Sequence, residues 1–145
     1  MKGLISAHSG MRYIVLLLLV IAVINAALNL KSKDYIKKDR LINLFAMIFL
    51  HIQLLIGLAL YFMSPKVQFT KVMMKEEMLR FFTMEHLLLM LAGIALVTLG
   101  RKMAEKRPQP EKKHQLIFKY YGLALIIIFI SIPWPFIYNV GASYY

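Results

Sequence analysis

The sequence of 145 residues contains no cysteine. This absence excludes disulfide bonds, iron–sulfur ligation, covalent c-type haem attachment and a catalytic thiol. Any bound metal would therefore need histidine, methionine or carboxylate ligands. A glycine-rich phosphate loop and a nucleophile–base arrangement are also missing from the sequence, which leaves enzymatic activity an open question.

Polar stretches long enough for a soluble domain are missing as well. The sequence is 60% hydrophobic, its mean hydropathy is +0.65, and its apolar residues fall into four blocks. Each block has about twenty residues or slightly more, enough to cross roughly 30 Å of hydrocarbon as a helix. We therefore predict an all-α membrane protein, a single domain of residues 1–145 with four transmembrane helices in an up-down-up-down bundle. The predicted spans are 6–30, 41–63, 80–100 and 115–138.

Acidic residues are scarce, with seven Asp and Glu against 18 Lys and Arg, and the net charge is +11. The cations lie in short loops beside hydrophobic spans, which indicates membrane topology rather than nucleic-acid binding. Eleven of them lie between spans one and two or between spans three and four, against five at the opposite face. The positive-inside rule predicts a multi-pass membrane protein with both termini outside, both basic loops cytoplasmic and the lipid bilayer as its partner.

Residues 80–100, RFFTMEHLLLMLAGIALVTLG, carry two ionisable side chains inside a predicted span. Glu85 and His86 lie about a turn and a half from its beginning, where the bilayer makes ionisable groups costly. Steps of seven residues, close to two helical turns, lead from His86 to Gly93 and Gly100 on one helix face. The glycines either allow close helix packing, which is the commoner use, or leave room for a cofactor bound to His86. The sequence alone does not separate the two.

Three further histidines lie at different predicted depths. His51 is near the middle of span two, where its nitrogens need a backbone carbonyl, an asparagine of another helix, or a metal. His8 lies four residues before Arg12 on one helix face, and is either solvated at the interface or part of a site. His114 opens span four, where we expect an ordinary solvated histidine. A separate polar and small seam on span two is expected to face another helix: Gln53, Gly57 and Tyr61.

The predicted depths suggest two histidine pairings. At about 1.5 Å per residue, His86 lies about 9 Å deeper than His8, and His51 lies near the midplane, so His86 could pair with either through helix tilt. Haem b held by two histidines suits this composition, with small residues beside the ring and a cation for the propionates. Arg12 and Glu85 come out near the depth of His86, and we expect them to be coupled, directly or through a propionate. The predicted cofactor-binding residues are His86, His8, His51, Arg12, Glu85 and Gly93, with the metal ligands drawn from the three histidines.

Four segments carry a resemblance to a known family: HSGMRYIVLLLL, HIQLLIGLALYF, EHLLLMLAGIALVTLGR and KYYGLALIIIFISIPWPF. Together they resemble the small bacterial integral membrane proteins called cytochrome b-like. More loosely, the plan is similar to the cytochrome b561 and copper-resistance D groups, and QLLIG is similar to one half of haem A synthases. The resemblance implies haem b and electron transfer near quinone or other membrane redox subunits. The last helix lacks the two closely spaced histidines of the b561 pattern.

Two other functions stay open on the sequence. The histidines, Arg12 and Glu85 could be interhelical contacts in a cofactor-free accessory or assembly subunit of a larger membrane complex. The histidines together with outer methionines also suit copper handling, because thioethers bind Cu(I). Such methionines are more often the apolar side of a short amphipathic segment on the membrane; they are Met73, Met74, Met78 and Met84. We expect the protein to belong to a larger complex or a homo-oligomer.

Overall fold

The computed structural model describes residues 1–134, which contain long helices and no strand. Four stretches are long and apolar enough to cross a membrane, so the predicted all-α, four-helix membrane architecture is confirmed. The first two are α1 (Lys2–Leu28) and α2 (Lys37–Met63). The third begins with the single turn α3 (Glu77–Arg80), continues through a π-helical turn (Phe81–Glu85) and ends with α4 (His86–Glu105). The fourth is α5 (Pro110–Ser131).

Prolines set both ends of α5. The helix begins at Pro110, five residues before the predicted span, because proline suits the first helical turn, where an N–H has no helical partner. It ends at Ser131, because Pro133 pushes the preceding Ile132 into extended backbone with ψ 131°. The last part of the predicted span, residues 135–138, lies outside the described residues.

Glycines bring α4 and α5 into close contact. A Cβ added to Gly93 would lie 2.7 Å from Ile128 Cγ1, and a Cβ added to Gly100 would collide with Tyr120. The close-packing interpretation of these two glycines therefore holds in this structure. Ile128 fills the space beside Gly93 that we predicted for a cofactor. The prediction that Gly93 is a cofactor-binding residue is therefore wrong in this structure.

Three polar contacts join α2 to the third span at three depths. Tyr61 Oη donates a hydrogen bond of 2.9 Å to the Thr83 carbonyl in the π-helical turn. Near the middle, His51 Nε2 lies 3.4 Å from Thr98 Oγ1. At the far end, Arg40 Nε lies 3.6 Å from Glu105 Oε2. These contacts fix α2 along the length of its neighbour.

The end of the bundle that carries the basic loops, called here the basic end, is closed by buried polar groups. Asp39 accepts hydrogen bonds from Asn25 Nδ2 at 2.8 Å and from the Ile36 backbone N–H at 2.9 Å. His114 is 1% exposed, with Nε2 3.1 Å from the Asp34 carbonyl, so the predicted solvated histidine is wrong. The loop between α1 and α2 folds over the beginning of α5 and covers the His114 imidazole.

A histidine-lined cavity as the candidate functional site

The opposite end of the bundle, called here the N-terminal end because it holds Met1, contains a cavity of about 590 Å³. This volume is within the roughly 300–1,000 Å³ common for small-molecule and cofactor sites. All four spans contribute to its largely apolar wall. We call it the histidine cavity, and its inner polar residues are His8, Ser9, Arg12, Gln53, Tyr61 and His86.

His8 of α1 and His86 of α4 come together in this wall. Their ring centroids are 6.4 Å apart and their planes are inclined by 76°. Two imidazoles bound on opposite sides of one metal, each through a bond of about 2 Å, have centroids about 6 Å apart. The observed separation of 6.4 Å is close to this value, so both rings are near enough to contact one metal-containing group. Of the two predicted pairings, this structure contains His86 with His8.

His86 has a defined orientation because its Nδ1 lies 2.8 Å from the Ser131 carbonyl. A carbonyl only accepts hydrogen bonds, so Nδ1 carries the proton and Nε2 keeps its lone pair. Two phenylalanines of the π-helical turn flank the ring, Phe81 at 5.8 Å and Phe82 at 6.5 Å between centroids. The imidazole is thus held on one side by a hydrogen bond and on others by aromatic packing.

His8 packs against a glycine of α2. A Cβ added to Gly57 would lie 3.0 Å from His8 Cε1, so a larger residue there would require the ring to move. Gln53 Nε2 donates to the His8 carbonyl at 2.8 Å. The seam of Gln53, Gly57 and Tyr61 does face neighbouring helices, as predicted, and all three residues also line the cavity. Sequence reasoning assigned them no site role, although their spacing of four on one helix face was the available signal.

Of the six buried side-chain polar atoms without a hydrogen-bond partner in the described residues, half belong to residues of this wall. Proteins normally satisfy such atoms with a hydrogen bond. Within residues 1–134, three that lack a protein partner belong to cavity-lining residues: His8 Nδ1, Arg12 Nε and Gln53 Oε1. One imidazole, one guanidinium and one amide oxygen converge on one apolar chamber, which favours a bound group with polar or coordinating atoms.

Arg12 and Glu85 are not joined as predicted. Glu85 pairs instead with Arg80, whose Nε lies 2.6 Å from Glu85 Oε1, and both side chains are about 40% exposed, at 37% and 42%. The intervening π-helical turn explains this, because it brings residues five apart onto one side. The Arg12 guanidinium lies 5.0 Å from the ring centroid of Tyr13 and 5.5 Å from that of Trp134. Arg12 therefore stays a cavity residue, and the predicted direct ion pair is wrong.

His51 lies outside the cavity lining. Its Nδ1 lies 2.8 Å from the Met47 carbonyl one turn earlier, and its Nε2 faces Thr98. The backbone-carbonyl alternative is the one that this structure contains. His51 and Gln53 are two residues apart and so lie on nearly opposite faces of α2, which is why the cavity takes Gln53.

The described residues offer few side-chain ligands for a metal ion without a cofactor. Within the described part of the chain, no group of three or more His, Cys, Asp and Glu residues could hold a metal ion. The four predicted methionines Met73, Met74, Met78 and Met84 also lie outside the cavity lining, although Met1 and Met90 belong to it. Two imidazoles alone suit a metal whose other ligands come from a cofactor, as in haem.

Comparison with known proteins yielded no match to any family model, curated protein or solved structure. The functional argument therefore depends on the residues and their geometry.

Proposed function

We propose that this membrane protein binds haem b in the histidine cavity and serves as a b-type, cytochrome-like electron-transfer subunit. His8 and His86 would hold the haem iron. The observation that supports this most is the 6.4 Å separation of their rings across the wall of one apolar cavity. The fold supplies the two ligands from the first and third spans, so neither helix could hold the cofactor alone.

The residues present fit haem in three respects. Haem b takes imidazole ligands from the protein, and the two histidines would supply them. The His8 ring has a buried Nδ1 without a partner among the described residues, and His86 keeps a lone pair on Nε2. Arg12 places a cation in the same wall, where it would balance the propionate charge.

The chain's own residues would set the conditions for electron transfer. When bound, haem iron accepts and releases single electrons. The largely apolar wall would lower the local dielectric around a bound group, which would strengthen the electrostatic effect of Arg12 there. The Ser131 carbonyl makes the His86 imidazole a stronger donor to iron, because it draws on the Nδ1 proton.

The position of the cavity bears on the partner. We propose the bacterial inner membrane as its location, with the N-terminal end outside and the basic end in the cytoplasm, as the distribution of cations favours. Electrons would then be exchanged with quinone or with another membrane redox subunit. Reporter fusions in loops 29–36 and 64–76 test the orientation: a reporter active only outside should be active in the second loop and silent in the first.

The visible spectrum of the full-length protein in mild detergent, purified after supply of haemin, tests the haem proposal. Soret and α bands that change on reduction are expected for the wild type, and either His8→Ala or His86→Ala should remove them. His51→Ala is the matched control, because it deletes an imidazole outside the cavity and should keep the bands. Full haem content in the His86→Ala protein would refute the proposal.

A cofactor-free accessory subunit is the second candidate. It is favoured by the hydrogen bonds of His51, His86 and His114 to backbone carbonyls, which could be purely structural. The accessory-subunit function would be supported if the wild-type protein stays colourless in the presence of haemin and has the same thermal stability with and without haemin. Copper bound without haem would instead favour the copper-handling function.

A further inference from the structure

Two prolines near the end of α5 remove two helical hydrogen-bond donors. In an α-helix each carbonyl accepts from the N–H four residues later. For Phe129 and Ser131 those later positions are 133 and 135, and both are proline, which has no N–H. Position 135 lies outside the described residues, so only its identity as proline is used here.

Side chains take the place of both missing donors. Trp134 Nε1 donates to the Phe129 carbonyl at 3.0 Å. His86 Nδ1 donates to the Ser131 carbonyl at 2.8 Å, and this bond links α4 to α5. The Ser131 hydroxyl donates to the Ile127 and Ile128 carbonyls of its own helix, at 2.9 and 3.1 Å, and the imidazole bonds to the backbone carbonyl of that residue.

We infer that Pro133 and Pro135 are positioning residues for His86. The two prolines leave the Ser131 carbonyl without a backbone donor. The carbonyl can therefore accept the hydrogen bond of the His86 imidazole. The carbonyl then fixes the Nδ1–H tautomer and leaves Nε2 for the iron. This inference rests on the proposed haem site for its function, although the tautomer itself does not depend on haem.

The consequence for a metal ligand follows from general coordination chemistry. A ligating histidine whose other nitrogen donates to an oxygen is held in place and is more basic, and loss of that oxygen typically costs 10–100-fold in metal affinity. A more basic imidazole also stabilises ferric over ferrous iron. Loss of the Ser131 bond should therefore weaken haem binding and shift the midpoint potential to more positive values.

The two prolines offer a matched set of variants. Pro133→Ala restores a donor for Phe129 but leaves Ser131 without one, since position 135 is still proline. Pro135→Ala restores an N–H at 135, but Pro133 still breaks the helix before it. Only the Pro133→Ala/Pro135→Ala double variant both continues the helix and supplies a competing N–H. We expect near wild-type haem affinity in each single variant and a loss of roughly 10–100-fold in the double variant.

Histidine ¹⁵N NMR of the full-length, haem-free protein reads the tautomer directly. His86, assigned by its absence in His86→Ala, should be Nδ1–H in the wild type and both single variants, and should become mixed in the double variant. An Nε2–H tautomer in the wild type, or a double variant that keeps wild-type tautomer, affinity and potential, would overturn the inference. A wild type that binds no haem but shows the Nδ1–H signal would defeat the proposed function and the ligand role, while the positioning by Ser131 would stand.

Discussion

Tyr61 of α2 donates a 2.9 Å hydrogen bond to the carbonyl of Thr83, in the π-helical turn that precedes His86. A π-helical turn disrupts the regular backbone pairing of its helix, and within a membrane any carbonyl left over needs a partner. Thr83 Oγ1 also accepts from the Gln68 backbone N–H at 3.1 Å. The π-helical turn is thus held by Tyr61 of α2 and by Gln68 of the loop that follows α2. The turn in its place determines where His86 begins α4.

The Tyr61→Phe variant tests this support. Removing the hydroxyl leaves a carbonyl at membrane depth without its donor, and we expect a loss of about 1–3 kcal/mol in stability together with weaker haem binding. Thermal unfolding in mild detergent measures the first effect, and haem titration measures the second. Tyr120→Phe is the control, because Tyr120 lies outside the cavity lining and its hydroxyl makes no hydrogen bond among residues 1–134, so the loss of that hydroxyl should cost little. Equal losses in the two variants would contradict the role of Tyr61.

The contact between Gly57 and His8 predicts a graded series at position 57. Alanine needs the His8 ring to shift by a few tenths of an ångström, whereas leucine would displace it. We expect reduced haem occupancy in Gly57→Ala and almost none in Gly57→Leu, measured by the ratio of Soret to protein absorbance. Gly122→Ala is the matched control, since a Cβ there meets nothing within 4 Å. Full occupancy in Gly57→Leu would show that the His8 position is not critical.

The packing of Gly93 against Ile128 predicts a compensating pair. Gly93→Ala forces a Cβ to within 2.7 Å of Ile128 Cγ1, and we expect a destabilisation of about 1–3 kcal/mol from overpacking. Ile128→Ala removes the colliding atoms, so the double variant should lose less than the sum of the two single variants. Thermal unfolding of the four proteins in detergent provides the cycle. Additive losses would mean that this contact does not limit the approach of α4 and α5.

Arg12 and Glu85 should behave independently in a double-mutant cycle. Glu85 has its own partner in Arg80, and Arg12 lies against aromatic rings. The effects of Arg12→Ala and Glu85→Ala on thermal stability should therefore add, within about 0.5 kcal/mol. The Arg80→Ala and Glu85→Ala pair serves as the positive comparison and should show coupling that weakens with salt. Coupling between Arg12 and Glu85 in haem-free protein would contradict the structure.

Hydropathy and charge were sufficient to predict the four spans, because twenty apolar residues in a row have few alternatives to a membrane helix. The pairing of His8 with His86 was within reach of depth counting, since both lie near the same end of their helices. The pairing of Glu85 with Arg80 could not be predicted in this way, because a π-helical turn changes which residues face each other and leaves no signal in hydropathy.

The roles of the glycines and of His114 also needed the structure. Gly93 and Gly57 are both helical glycines near a histidine in sequence or space, and only the neighbouring helix decides which one packs on Ile128 and which one on His8. His114 begins its helix beside basic residues, a pattern typical of an exposed position. A loop from the other side of the bundle covers it, and no local pattern could reveal that contact.

The three polar contacts between α2 and the third span together oppose sliding of one helix along the other. A slide of α2 by one helical turn, about 5.4 Å, would break the contacts at Thr83, Thr98 and Glu105 simultaneously. At intermediate positions Tyr61 and His51 would find no replacement partners in hydrocarbon, so their contacts oppose a slide of α2. The depth of Gly57 relative to His86 therefore depends partly on the contact of His51 with Thr98, near the middle of the bundle and outside the cavity.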